Sequence, residues 1–200
     1  EIIWFYCSAA SASIDRYVIY NYQEQLWYYG TLNRTAWFDS QVVTSPLAAS
    51  GGYIYEHEVG NDDGQPTGQA PLPISAFIQS SDMTIEDGEN FILTKRVIPD
   101  VNFTNSDTNN SVTGATLVPE VEMTVGVRNF PGAANNTDNV AGNTLSREVI
   151  TTASINEYTN QVFVRARGRQ MNFKIASNMV GVRWQIGAVR VDFRPDGRRG

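Results

Sequence analysis

The sequence predicts an all-β protein, and three observations carry that expectation. Apolar and polar residues alternate with period two in stretches such as "VEMTVGVR" and "VFVRAR". No long window places apolar residues at i, i+3, i+4 and i+7, the spacing that an amphipathic helix requires. Short aromatic or β-branched runs are separated by clusters rich in Gly, Pro, Asn and Asp. The expected architecture has three parts: the closing strands of a β-propeller-like domain over 1–45, a linker and loop over 46–73, and a β-sandwich-like domain with long loops over 74–200.

Each segment has its own local reason. "IIWFYC" and "RYVIYNY" read as strands, and "NYQEQLWYYG" reads as a hairpin turning at Gln23, Glu24 and Gln25. Their aromatics suit a pleated surface and pair across strands. Short aromatic strands joined in this way are what a propeller blade looks like. "SPLAASGG" is the expected domain boundary, and "GNDDGQPTGQAPLP" is too rich in turn residues to be regular. From Ile74 "ISAFIQSSDMTI" runs to a turn at Asp87-Gly88 and "NFILTKRVIPDVNF" returns, with Pro99 ending the pairing. Val121, Met123, Val125 and Val127 share one face of the next strand. Two polar loops, "TNSDTNNSVTGAT" and "PGAANNTDNVAGN", are expected as exposed tips.

Near the C-terminus the alternation changes parity twice. Val162, Val164 and Ala166 share one parity, whereas Met171, Phe173 and Ile175 take the other after Gly168. Val182, Trp184 and Ile186 are followed by Val189, Val191 and Phe193 after Gly187. A one-residue shift turns every side chain to the opposite face. Two such switches, on strands expected to pair, predict a corner where the chain passes between sheets.

Charge and composition narrow the function. The net charge of −6 hides a polarity: residues 161–200 hold nine basic against two acidic residues, and residues 1–160 hold six basic against nineteen acidic. That pattern points to internal pairing or a directed assembly surface rather than to a dedicated nucleic-acid binder. A single cysteine excludes an internal disulfide framework, and Cys7, set in an aromatic run, is expected as a buried thiol. One histidine, His57, leaves little for a metal site of the usual ligand types, and no metal, cofactor or catalytic residue is assigned. No apolar run approaches the roughly 20 residues that span a bilayer. The opening "EIIWFYC" already reads as the middle of a strand, so the chain is expected to be a piece of a longer one.

The carboxylates Glu56/Glu58, Asp62/Asp63 and Glu86/Asp87/Glu89 lie in or beside turns, where backbone geometry favours such residues, so a glycosidase ranks low. Sequons at Asn33, Asn102, Asn109 and Asn135 are weak signals in an Asn-rich chain. Two constellations remain. Arg165, Arg167 and Arg169 form the outer face of a strand, and with Arg194, Arg198 and Arg199 they are candidates for a subunit interface. Arginine outnumbers lysine thirteen to two, which suits bidentate pairing with carboxylates. Trp27, Tyr28 and Tyr29 form the alternative, a glycan platform in a carbohydrate- or receptor-binding β module, although aromatics at strand spacing more often belong to a sheet core.

The segments "DRYVIYNYQEQLWYYGTLNRTAW", "DGENFILTKRVIPDVNF" and "VRARGRQMNFKIASNMVGVRWQIGAVRVDFRPDGRRG" resemble the C-terminal part of the nozzle, or packaged-DNA stabilisation, proteins of short-tailed bacteriophage tails, most specifically at "RVIPDVNF" and "RPDGRR". The resemblance implies a non-enzymatic virion protein of the tail hub, assembled as a homo-oligomeric ring, usually a hexamer. Its expected neighbours are portal or adaptor and tail-fibre proteins. Double-stranded DNA would pass through without sequence-specific binding, and gating elements would lie upstream of this segment.

Overall fold

The computed structural model describes residues 1–39, 42–65, 68–85, 88–129 and 148–197. Strands are the regular structure throughout, and no helix occurs among the described residues. The chain forms two compact units, Glu1–Gly60 and Asn61–Gly200.

The first unit holds two three-stranded antiparallel sheets. β1 (Ile2–Tyr6), β2 (Arg16–Asn21) and β3 (Leu26–Thr31) run in that order, with Ile2 opposite Tyr20 and Tyr20 opposite Trp27. The β2–β3 turn closes as expected at Gln23–Gln25. Asn21 Oδ1 accepts hydrogen bonds from the backbone N–H groups of Gln23 (3.1 Å) and Glu24 (3.2 Å), while Gln25 takes a left-handed conformation. The second sheet orders β4 (Ala36–Phe38), β5 (Leu47–Ser50) and β6 (Tyr53–Glu56). "SPLAASGG" is therefore not a boundary. Leu47–Ser50 is the central strand of this sheet, with Ala48 buried, and Gly51 and Gly52 supply the two positive φ angles (58° and 84°) that a tight hairpin into β6 demands. The division falls instead after Gly60.

The second unit contains β7 (Asp62–Asp63), β8 (Leu72–Pro73), β9 (Ala76–Gln79), β10 (Ile92–Ile98), β11 (Val101–Asn102), β12 (Glu120–Arg128), β13 (Glu148–Asn156), β14 (Val162–Gly168), β15 (Gln170–Ser177), β16 (Gln185–Ile186) and β17 (Arg190–Pro195). β13-β12-β15-β9 form a four-stranded sheet and β14-β10-β17 a three-stranded one, with small pairs β11-β16 and β7-β8 beside them. The two larger sheets share one core. Val121, Met123, Val125 and Val127 of β12 lie buried together, as their alternation predicts, against Met171 and Ile175 of β15 and Val97, Val164 and Ala166 of the other sheet. Burial on this scale is the main favourable contribution to folding of the unit.

The return from β9 to β10 is not a hairpin: β9 pairs with β15, whereas β10 sits between β14 and β17. The turn residues Glu86 and Asp87, and the loop 131–143 with Asn135, lie outside the described residues. Both parity switches do mark passages between sheets. At Gly168 the chain leaves the sheet of β14 for that of β15, and Arg169 N–H donates to Arg128 O at 2.7 Å. At Gly187, whose N–H donates to Asp100 O (2.7 Å), it passes from the β11-β16 pair to β17. The strands carrying the switches do not pair with one another as expected, since β10 lies between β14 and β17.

Candidate functional site

The site with the clearest chemistry is the outer face of the β14-β10-β17 sheet. Alternation along β14 sends Val164 and Ala166 into the core and Phe163, Arg165 and Arg167 outward. Register then decides which neighbours share that face. Arg167 and Arg194 flank Leu93, while Phe163 and Asp192 flank Arg96. The ladder shifts between Thr94 and Arg96, which leaves Lys95 exposed at the irregularity. A shallow depression of about 740 Å³ opens there, lined by Leu93, Lys95, Arg96, Phe163, Arg165 and Asp192. Phe163 keeps 74% of its surface exposed, an unusual position for a phenylalanine amid arginines.

The predicted arginines divide into two groups. Arg167 is held by its own chain: its Nε donates to Asp196 Oδ2, its Nη2 donates to Asp196 O at 3.0 Å, and its guanidinium lies 4.2 Å from the centre of the Phe91 ring. Arg169 covers the same ring at 5.1 Å. These two arginines clamp Phe91, so each already has a partner within the chain. A half-exposed ion pair such as Arg167–Asp196 contributes only about 0–1 kcal/mol. Its consequence is positional, fixing the end of β17 against β10 and β14.

Arg165, by contrast, points outward and pairs with no acidic group among the described residues, and Arg194 and Lys95 stand the same way. Arg96 reaches Asp192 (3.6 Å) and donates through Nη1 to Gln161 Oε1 (3.2 Å). Arg198 and Arg199 lie outside the described residues. Among the described residues, this surface thus carries six basic side chains (Lys95, Arg96, Arg165, Arg167, Arg190 and Arg194) and two aspartates, Asp192 and Asp196. Lys95, Arg96 and Phe163 were not singled out by sequence reasoning. Two of them belong to the acidic part of the chain, and only the insertion of β10 between β14 and β17 gathers them.

The remaining candidates have local duties. Asp62 accepts from the Gly181 N–H and from Ser111 Oγ (3.3 Å), and Asp107 accepts from Asn61 Nδ2 at 2.8 Å. His57 Nε2 accepts from Arg34 Nε at 3.0 Å, and its ring packs 4.7 Å from Trp37. Cys7 is exposed rather than buried, because it falls just past the end of β1. Trp27 and Tyr29 share a face of the first sheet, but Tyr28 projects from the opposite one, so the predicted platform does not form as a triad.

The fold and this surface define a class: an all-β protein of two units, one of which presents a basic sheet face around an exposed aromatic residue. No protein-family model matches the chain, and no curated protein matches it.

Proposed function

We propose that the chain is a structural subunit of a short-tailed bacteriophage tail, of the nozzle kind, assembling as a homo-oligomeric ring around a DNA channel below the portal. The carrying observation is the basic face of the β14-β10-β17 sheet, where Lys95 and Arg165 line the depression beside Phe163 and, with Arg194, pair with no acidic group among the described residues, in a chain whose net charge is −6. A ring needs a head-to-tail contact in which one surface complements a different surface of the next copy. A cationic face on an otherwise acidic protein meets that requirement, and an exposed aromatic between arginines has the character of an interface anchor. The resemblance of "RVIPDVNF" and "RPDGRR" to the nozzle proteins points the same way. It brings with it the propeller-like reading of the first unit, the sandwich-like reading of the second, and a place in the virion tail beside portal or adaptor and fibre proteins. An acidic body also suits a conduit, since each neutralised phosphate adds salt-dependent affinity that opposes DNA sliding.

The structure changes which residues should be altered in the test. Reversing Arg167 or Arg169 would release Phe91, so Lys95→Glu, Arg165→Glu and Arg194→Glu are the informative changes. Wild type should sediment as a closed oligomer and show rings in negative stain, while the triple reversal should sediment as a monomer with an unchanged far-UV circular dichroism spectrum. A wild type that stays monomeric at high concentration, or reversed protein that still forms rings, would refute the reading.

A further inference from the structure

The β4-β5-β6 sheet has one covered face and one open face. Residues opposite one another across an antiparallel ladder share a face, so Trp37, Ala48 and Tyr55 form a row on one side. There Trp37 packs against Phe5 and His57, at 5.6 Å and 4.7 Å between ring centres, and Ala48 is buried. The opposite side carries two rows: Ala36, Ala49 and Ile54, then Phe38, Leu47 and Glu56. Ile54 keeps 77% of its surface exposed and Phe38 54%. Glu56 is exposed, and it forms no ion pair among the described residues. Asp39 and Glu58, which follow the ends of β4 and β6, are exposed as well.

An apolar centre with carboxylates at its margin is the counterpart of the β14-β10-β17 face, where Leu93 and Phe163 lie among Lys95, Arg165 and Arg194. Charge separates this face from the other sheets of three or more strands. The strands of β1-β2-β3 contain no carboxylate. The outer face of β13-β12-β15-β9 carries Glu122, but Lys174 stands in the next row on the same side. Residues 1–60 hold six acidic side chains against Arg16 and Arg34, so long-range attraction and local contact have the same sign. We propose that the open face of β4-β5-β6, centred on Phe38, Ile54 and Glu56, docks onto the basic face of β14-β10-β17 in a second copy of the chain. The contact covers Phe163 with Phe38 and Ile54 and offers carboxylates to Lys95 and Arg165. The inference rests on the ring assembly proposed above and names the two surfaces that meet in its head-to-tail contact.

The chain has two lysines, Lys95 and Lys174, which makes zero-length carbodiimide cross-linking selective. Wild-type oligomer assembled from equal amounts of heavy-isotope-labelled and unlabelled chains is cross-linked, and its joined peptides are sorted by mass. Lys95 should be bonded to Glu56 or Asp39, with labelled-to-unlabelled pairs showing that the bond links separate copies. The Ile54→Lys/Glu56→Lys variant should raise the dissociation constant of the oligomer at least about tenfold while the circular dichroism spectrum stays unchanged. Wild-type rings whose Lys95 cross-links fall on other carboxylates, or rings that survive the Ile54/Glu56 change, overturn this pairing and leave the assembly reading intact. Lys95–Glu56 bonds confined to single copies overturn it as well. A wild type that stays monomeric refutes the assembly reading itself, and the pairing falls with it.

Discussion

Asp15 illustrates how much a single side chain can organise. It follows a polar connection of small residues, and its carboxylate accepts from the Ser8 N–H (2.7 Å) and from Ser8 Oγ (2.6 Å), closing the loop between β1 and β2. The Ser8 hydroxyl, then the Ser8 backbone N–H, hold its pKa below the usual 3.8, with Arg16 adding to the effect. A lowered folded-state pKa means that the ionised form favours the native state. Its contribution is full above the ordinary carboxylate pKa and is lost as pH falls through the lowered folded value. Thermal melts between pH 5 and pH 2 should therefore show a steeper acid loss for wild type than for Asp15→Asn, with the difference concentrated below about pH 4. Equal slopes would mean that the Ser8 contact carries no linkage. Asp15 is visible in the sequence, but its partner is not, because nothing local distinguishes Ser8 from Ser11 or Ser13.

At the scale of elements, the parity switch at Gly168 joins sequence pattern to architecture. A Cβ at Gly168 would lie 2.8 Å from Arg128 O and 2.9 Å from Val127 Cβ, against the backbone of β12 rather than a movable side-chain tip. The Gly168→Ala protein should lose about 1–3 kcal/mol of stability in urea titrations, the usual range for overpacking. A loss smaller than about 0.5 kcal/mol would show that the corner yields freely. The switch itself is legible from the change in apolar spacing between Ala166 and Met171. Which sheets it connects is not, because β14 pairs with β10 and β15 with β12, strands separated by long stretches of chain. The same limit produced the mistaken hairpin of β9 with β10. A turn signal at Gly88 is real, with its N–H donated to Ile85 O at 3.1 Å, yet a turn does not oblige the flanking strands to pair.

For the whole molecule, the distribution of buried apolar surface is uneven. The core cluster spans Val97 to Val182 and lies wholly within the second unit, whereas Ala48 is the one buried apolar residue described in the first. The units should accordingly unfold in two steps. Trp4, Trp27 and Trp37 belong to the first unit and Trp184, packed against the core, to the second, so tryptophan emission should change in both steps, the first at lower urea, with β circular dichroism surviving into the later one. Coincident transitions would show that the two units unfold as one. The charge polarity also takes a different form here than along the chain. The basic C-terminal segment is not a separate body, because β14 and β17 enclose β10, which brings Lys95 and Arg96 from the acidic portion onto the shared basic face.

The sequence by itself determined the strand character, the inward sets such as Val121 to Val127, the tight turns and the two corners, because these depend on alternation and on residues a few positions apart. The tertiary structure alone decided that Arg167 and Arg169 hold Phe91 while Arg165 stays open, and that Trp4 rather than Tyr28 joins Trp27. The physical reason is common to both cases. Period-two alternation sets which face a side chain occupies, but strand order and register set what lies beside it on that face, and those follow from packing the whole core.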